Sequence, residues 1–85
     1  MEIKLFGSFR KYGNGEFIEI AINDTITIAR LKELFIKKII EIEGSFNEEA
    51  IVDASAFAVN DEIVADNYQI KNNDILAILP PVCGG

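Results

Sequence analysis

The sequence contains no histidine and only one cysteine, Cys83, among its 85 residues. Histidine is the usual general base near neutral pH and the usual activator of serine and cysteine nucleophiles, so its absence argues against self-contained catalysis. One cysteine cannot form an intramolecular disulfide, and without histidine the common zinc clusters cannot be assembled. We therefore expect a chain that binds no metal and no cofactor and whose chemistry depends on other proteins.

Basic residues are also scarce. The chain carries 8 lysines and arginines against 14 aspartates and glutamates, a net charge of -6. Such a charge repels phosphate backbones and anionic lipid surfaces, which argues against nucleic acid and membranes as partners. No apolar run approaches the ~20 residues of a membrane span. The first residues lack the layout of a signal peptide, so the expected location is the cytoplasm.

What is present indicates one small folded domain. An apolar fraction of 49% and a charged fraction of 26% are typical of a globular chain. Apolar and polar residues alternate in residues 2–6 and again in 17–22, as in two half-buried strands. The glycine-containing residues 7–15 between them predict a long hairpin loop. On the first predicted strand, the alternation puts Phe6 on the face opposite the core.

A single amphipathic helix is predicted next. Thr27 can cap its first turn, and Gly44 can end it in the left-handed conformation. Apolar residues at three- and four-residue steps predict its core face: Ile28, Leu31, Phe35, Ile39 and Ile42. Charged residues are assigned to its surface: Arg30, Lys32, Glu33, Lys37 and Glu41.

The second half of the chain predicts mainly strands. We expect a short helical cover within residues 45–55 that uses Phe46, Ile51 and Val52. A strand at 56–60, a turn at Asp61-Glu62 and a short strand at 63–64 should follow. A polar connection at 68–74 should then lead to an apolar strand at 75–79 that lies between two others. This order predicts an α+β fold in which a mixed sheet of about five strands packs on one helix. Residues 1–79 are assigned to the domain and 80–85 to a tail.

The tail Pro80-Pro81-Val82-Cys83-Gly84-Gly85 is the most suggestive segment. Proline cannot donate to a sheet ladder, so Pro80 and Pro81 end the last strand and favour an extended exit. Six extended residues reach up to roughly 20 Å. Because Gly84 and Gly85 have no side chains, they could enter a channel that is too narrow for other residues. The sequence thus predicts that the carboxylate of Gly85 is the working group.

The ending Pro80-Pro81-Val82-x-Gly84-Gly85 resembles the terminus of the small subunit of molybdopterin synthase. The segment from Ala58 to Val64 resembles a second recurring block of that family, and Leu5-Phe6 with Arg10 resembles its opening strand. Asn73-Asp74 departs from the Gly-Asp that is frequent there. The resemblance implies a ubiquitin-like β-grasp fold.

The resemblance also implies a function. The carboxylate of Gly85 would be adenylated by an ATP-using, ubiquitin-activating-like adenylyltransferase, and a sulfur donor would convert it to a thiocarboxylate. The sulfur would pass to a cyclic pyranopterin precursor on the large subunit, within a heterotetramer. This chain would be a non-catalytic carrier subunit, and ATP would be used by the activating enzyme alone.

A docking surface is expected on the outer face of the sheet. The period of two places Ile75, Ala77 and Leu79 on the same face as Phe6. A contiguous apolar patch there would indicate a protein interface. The resemblance implies that Phe6, Ile63 and Leu79 contact the protein partners.

Several alternatives stay open at this stage. Nothing near Cys83 in the sequence would lower the pKa of its thiol, so we interpret it as an incidental residue and not as a sulfur relay. A sulfur carrier for thiazole synthesis would share the fold and the Gly-Gly ending. A protein modifier would join Gly85 to lysines through isopeptide bonds, and a plain interaction domain would not use the carboxylate.

Overall fold

The computed structural model describes residues 1–81 and contains a five-stranded sheet with one long helix against it. The strands are β1 Glu2–Leu5, β2 Phe17–Glu19, β3 Ile26–Thr27, β4 Ala56–Val59, β5 Glu62–Val64, β6 Gln69–Ile70 and β7 Leu76–Leu79. The helices are a 3-10 helix at Gly7–Lys11, α1 at Ile28–Glu43 and α2 at Glu49–Ala54. This arrangement confirms the predicted α+β fold of the ubiquitin-like β-grasp type.

The main sheet has the strand order β2-β1-β7-β4-β5. β1 and β7 run parallel at its centre, and the other neighbours are antiparallel. The last strand therefore lies between two others, as its continuous apolar sequence predicts. The short strands β3 and β6 form a separate antiparallel ladder beside the start of α1.

The core fills the space between α1 and one face of the main sheet. Leu76 and Ile78 of β7 are fully buried on that face, as expected from their alternation. Phe35 of α1 is also fully buried, and its ring meets the ring of Phe9 edge-on with centroids 5.7 Å apart. The 3-10 helix, which carries Phe9, is thereby anchored to the core.

Both ends of α1 follow the predicted capping. The Thr27 hydroxyl accepts a hydrogen bond from the backbone N–H of Arg30 at 3.2 Å. Gly44 has φ of 88°, and its N–H donates to the carbonyl of Ile40 at 2.8 Å. Only a residue that tolerates the left-handed region can close the helix in this way.

Two assignments on α1 are wrong. Ile42 was placed on the core face but is 45% exposed. A 16-residue helix is about 24 Å long, whereas a four-residue strand covers about 13 Å, so the last turn extends past the sheet. Lys32 is predicted on the surface but is buried, because its ammonium group pairs with a backbone carbonyl of α2 and with the exposed carboxylate of Asp66.

The turn between β4 and β5 is also shifted by one residue from its predicted place. Asn60 and Asp61 occupy it with positive φ of 51° and 72°, and Glu62 already belongs to β5. Asparagine and aspartate tolerate this conformation better than other residues with side chains. The turn prediction at Asp61-Glu62 is thus wrong by one position.

Three other segments differ from the prediction in detail. The predicted loop at 7–15 contains the 3-10 helix, and the polar connection at 68–74 contains β6. β2 ends at Glu19, although the Ile20 N–H still donates to the Met1 carbonyl at 2.8 Å. The helical cover at 45–55 is confirmed as α2 with Val52 fully buried, while Phe46 precedes it. Within residues 1–81, no helix is both long and apolar enough to cross a membrane.

Candidate functional site

The outer face of the main sheet carries a row of aligned residues across all five strands. Lys4 lies opposite Phe17 on one side and Ala77 on the other. Ala58 lies opposite Ala77 and Ile63, which completes the row. The two edge strands thus contribute the large apolar residues Phe17 and Ile63, β1 contributes the exposed Lys4, and β7 and β4 contribute alanines. Such a face is flat at its centre.

The predicted docking residues lie on this outer face. Leu79 is half-buried and lies opposite Ala56. Phe6 follows β1 with extended backbone and is 44% exposed, while Ile63 is 70% exposed and Ile75 is 64% exposed. The period-two placement thus agrees with the structure. We define the outer patch as Phe6, Phe17, Ala56, Ala58, Ile63, Ile75, Ala77 and Leu79.

The outer patch is not one cluster of touching side chains. β7 and β4 separate the strand that leads to Phe6 from β5, which carries Ile63, so the two lie on the order of 14 Å apart at a strand spacing of about 4.8 Å. The alanines of β4 and β7 form the floor between them. The outer patch therefore consists of two separate apolar edges and a centre of alanines, with the exposed Lys4 on β1 beside them.

The C-terminal arm leaves the sheet next to this patch. β7 ends at Leu79, and Pro80 and Pro81 follow as half-buried residues outside the strand, as predicted. Because β7 is the central strand, the arm starts from the middle of the sheet and not from an edge. The predictions for Val82, Gly84 and Gly85 concern positions outside the described residues, as does the interpretation of Cys83.

Gly7 lies against the first residue of the arm. It has φ of 58°, and a Cβ placed on it would be 2.7 Å from Cγ of Pro80. Carbon atoms in contact normally stay 3.5 to 4.0 Å apart, as a rough guide. The glycine therefore provides space that any other residue would fill.

An open depression of about 390 Å³ borders the patch near β1. Its lining combines apolar side chains with charges of both signs: Lys4, Leu5, Phe6, Arg10 and Glu16. The Arg10 Nε donates to the carbonyl of Gly15 at 3.3 Å, which orients its guanidinium group. Protein interfaces commonly combine apolar contacts with polar and charged groups.

A polar cluster connects the 3-10 helix to the segment after α1. The Lys11 Nζ lies 2.8 Å from Oε1 of Glu48, and the Tyr12 hydroxyl donates to the same oxygen. Hydrogen bonds from Lys11 and Tyr12 lower the pKa of Glu48. The hydrogen bond to Glu48 raises the pKa of Lys11. Burial is the larger cause that raises the pKa of Tyr12, and the hydrogen bond between Tyr12 and Glu48 raises it further. Each of these three pKa values is moved further from neutral pH. The cluster is therefore a structural connection and a poor acid-base site.

Lys32 makes a second buried polar connection. Its Nζ donates to the carbonyl of Asp53 at 3.0 Å and lies 3.1 Å from Oδ1 of Asp66. The carbonyl belongs to the last turn of α2, where a cation also interacts favourably with the helix dipole. The lysine thus fixes α2 and the segment before β6 to α1. Across residues 1–81, no cluster of three or more histidine, cysteine, aspartate or glutamate side chains could hold a metal ion.

Sequence reasoning missed three residues of the outer patch. Phe17 is half-buried and was assigned to a strand without a role, and Ala56 and Ala58 were noted only as strand residues. The alternation of alanine with Phe57 and Val59 was the available signal, because two alanines on one side of a strand indicate a flat outer surface. The pairing of strands distant in sequence was not visible.

Comparisons with known proteins agree with this geometry. The model of the ThiS family matches residues 3–85. SAMP1 from Haloferax volcanii has a similar structure, with a TM-score of 0.71 and 21% identity over 99% of this chain and 97% of that one. A putative molybdopterin converting factor, subunit 1, from Pyrococcus furiosus has a TM-score of 0.70 and 23% identity over 95% of each chain. A search of curated proteins finds no match.

At these identities the two solved structures show a shared fold, whereas the family model covers nearly the whole chain. The chain therefore belongs to the ThiS family of ubiquitin-like β-grasp sulfur carriers.

Proposed function

We propose that this chain is the sulfur carrier subunit of a molybdopterin synthase and that it transports sulfur as a thiocarboxylate on Gly85. The observation that carries the proposal is the root of the arm at Pro80. It lies at the end of the central strand and beside the outer patch, so one partner can hold the patch and receive the arm at the same time. The Pro-Pro-Val-Cys-Gly-Gly ending supports the same conclusion.

The proposed chemistry begins with activation of a poor electrophile. The carboxylate of Gly85 attacks the α-phosphate of ATP on the activating enzyme, which forms an acyl adenylate and releases pyrophosphate. A persulfide sulfur on a donor protein then attacks the acyl carbon, and AMP leaves. Reductive cleavage of the sulfur–sulfur bond by a thiol leaves the thiocarboxylate on Gly85 and a disulfide on the thiol side.

The partners supply the catalytic groups in this scheme. The polar cluster of Lys11, Tyr12 and Glu48 has pKa shifts directed away from neutral pH. The chain contributes a docking surface and a narrow reactive arm. The nucleotide site belongs to the adenylyltransferase, and the site for the pyranopterin precursor belongs to the large subunit, where the thiocarboxylate donates its sulfur to build the dithiolene.

The choice of pathway follows from the arm and from one structural relative. Pro80 and Pro81 restrict the backbone at the root, which lowers the entropy that binding in a matching channel costs. The relative from Pyrococcus furiosus is described as subunit 1 of a putative molybdopterin converting factor, a name that implies at least one further subunit. A large synthase subunit is therefore the proposed acceptor for this chain, within a heterotetramer.

The proposal is tested by intact-mass measurement. Incubation with an activating enzyme of this class, ATP, a persulfide donor and a thiol reductant should add the mass difference of one sulfur for one oxygen. Deletion of Gly85 should prevent the change while the far-UV circular dichroism spectrum stays the same. An unchanged mass with an enzyme that demonstrably adenylates another carrier would contradict the proposal.

A second assay separates the possible pathways. The thiocarboxylated chain is mixed separately with a large synthase subunit and its precursor, with a thiazole synthase, and with a lysine-containing protein extract. We expect dithiolene product. Thiazole product alone would assign the chain to that pathway, and lysine conjugates alone would make it a protein modifier.

A further inference from the structure

The geometry points to Gly7 as a positioning residue for the C-terminal arm: by leaving space for the ring of Pro80, it sets the direction in which the arm leaves the sheet. Its consequence for sulfur transfer rests on the function proposed above. The contact itself does not.

A side chain at position 7 would overlap the ring of Pro80. A Cβ on Gly7 would lie 2.7 Å from Cγ, 3.5 Å from Cδ and 3.9 Å from Cβ of Pro80. The atom in closest contact belongs to a ring that is closed onto the backbone nitrogen. Rotation of a side chain therefore cannot relieve the overlap as it could for lysine or methionine.

The two sides of the contact are not equally fixed. Leu5 and Phe9, which lie two residues before and two residues after Gly7, are 3% and 1% exposed. The Phe9 N–H also donates to the Phe6 carbonyl at 3.2 Å, which closes the first turn of the 3-10 helix. Pro80, in contrast, follows the last residue of β7 and is only half-buried. A larger residue at position 7 should therefore displace the arm and not the 3-10 helix.

The direction of that displacement follows from the sheet order. β7 lies between β1, which leads into Gly7, and β4, whose first residue Ala56 lies opposite Leu79. A side chain at position 7 occupies the β1 side of the root. The arm should consequently tilt towards the β4 side, near Ala56.

The isolated protein allows a direct test, because Cys83 is its only cysteine and lies in the arm. A nitroxide spin label on Cys83 broadens the amide signals of residues that the arm approaches. In Gly7→Ala, we expect broadening to shift away from the β1 side of the sheet and to increase near Ala56, relative to the unsubstituted protein. An unchanged pattern in a folded Gly7→Ala protein would overturn the inference.

Gly44→Ala provides a matched control. Gly44 has φ of 88°, so alanine is strained there as it is at Gly7, but a Cβ on Gly44 meets no atom within 4 Å. This control should keep the original broadening pattern. The same change of pattern in both variants would attribute the effect to general backbone strain and contradict the inference.

The Pro80→Ala variant serves as a second background that distinguishes overlap with the proline ring from backbone strain at Gly7. In Pro80→Ala the ring is absent, and the nearest remaining atom, Cβ, lies 3.9 Å from the added methyl group. Addition of Gly7→Ala to Pro80→Ala should therefore change the broadening pattern no further. An equal change in both backgrounds would overturn the role of the ring.

If Gly7→Ala does not fold, the original protein still provides a test. A nuclear Overhauser effect is expected between Gly7 Hα and the Pro80 ring protons, and its absence would contradict the contact.

The last readout is sulfur transfer. The kcat/KM of transfer to the large subunit should fall about tenfold or more in Gly7→Ala, since a misplacement of about 1 Å can cost a reacting group about 100-fold. Gly44→Ala should transfer at the original rate. An unchanged rate in Gly7→Ala with a shifted arm would overturn the positioning role. Failure of the original protein to form a thiocarboxylate would instead overturn the proposed function and leave the spin-label result intact.

Discussion

The two faces of the main sheet are built from the same strands but from different kinds of side chains. On β4, Phe57 and Val59 point to the core and are 1% and 3% exposed, whereas Ala56 and Ala58 point outward. The inner face fills a volume, so the shape of each side chain matters. On the outer face, the small alanine side chains of β4 and β7 lie between larger apolar side chains near the two edges of the sheet. If the outer face binds partners as proposed, substitutions on one face should alter stability and substitutions on the other should alter binding.

The largest expected effect comes from the inner face. Phe57→Ala should lower the free energy of unfolding by about 3–5 kcal/mol, because it removes a fully buried ring and leaves a cavity. Ile63→Ala on the outer face should change it by only about 0.5 kcal/mol or less, since Ile63 is 70% exposed. Urea denaturation measures both. Equal losses would show that the outer face also supports the core.

The next effect concerns binding. Phe6→Glu should weaken binding of the large subunit by about 2 kcal/mol or more if Phe6 is a hot spot, because a charge would be desolvated at an apolar contact. Ile42→Glu is the matched control, since Ile42 is 45% exposed, like Phe6 at 44%, but lies on α1. Titration calorimetry should show a loss for the first variant only. Equal affinities would remove Phe6 from the interface.

Leu79→Glu extends the same comparison to the root of the arm. We expect a loss of binding similar to that of Phe6→Glu, at about 2 kcal/mol. Because Leu79 is half-buried, its stability is measured alongside by denaturation. Original affinity in a folded Leu79→Glu protein would confine the docking surface to the β1 side of the patch.

A smaller effect is expected where a charged group enters the core layer. Lys32→Met should lower the free energy of unfolding by about 1–3 kcal/mol, because the Asp53 carbonyl loses its charged donor. The exposed Lys37 on the same helix provides the control Lys37→Met, with a change of about 0.5 kcal/mol or less. Thermal and urea denaturation should agree. A stable Lys32→Met would show that the methionine side chain replaces the connection by packing.

The smallest effect depends on pH and concerns the polar cluster, which belongs to neither face. The folded-state pKa of Glu48 is lowered below 4.5 by hydrogen bonds from Lys11 and Tyr12. A lowered folded pKa contributes stability that is present above the unfolded value and lost as pH falls through the folded value. Glu48→Gln should therefore be less stable than the original protein near neutral pH, and the difference should shrink below about pH 4.5. Denaturation at several pH values checks this, and a constant difference would exclude the ionic contribution.

The sequence predicted those parts of the fold that short-range patterns determine. Alternation identified β1 and β2, an unbroken apolar run identified β7, and the capping residues Thr27 and Gly44 located both ends of α1. The exposure of Ile42 was missed because it depends on where the sheet ends, which no local period contains. Lys32 was misplaced for the same reason, since its partners Asp53 and Asp66 are distant in sequence. The two-residue strands β3 and β6 are too short to show alternation.

The candidate site was predictable to a similar extent. The period of two placed Phe6 and Leu79 on one face, and the resemblance added Ile63. The alanine floor required the pairing of β7 with both β1 and β4, which the sequence does not reveal. The contact of Gly7 with Pro80 required three-dimensional proximity of two residues at opposite ends of the chain. The roles of Gly7 and Pro80, and those of Val82, Gly84 and Gly85, stay predictions.

The parallel pairing of β1 with β7 also governs when the arm can be presented during folding. Ile3 lies opposite Leu76, so the central ladder joins the first strand of the chain to the last. A contact of such large sequence separation closes late, because loop-closure entropy opposes it until the rest of the chain is in place. A nascent or partly unfolded chain therefore has no formed root for the arm. Under the proposed function, an activating enzyme would therefore meet a correctly placed arm only after folding is complete.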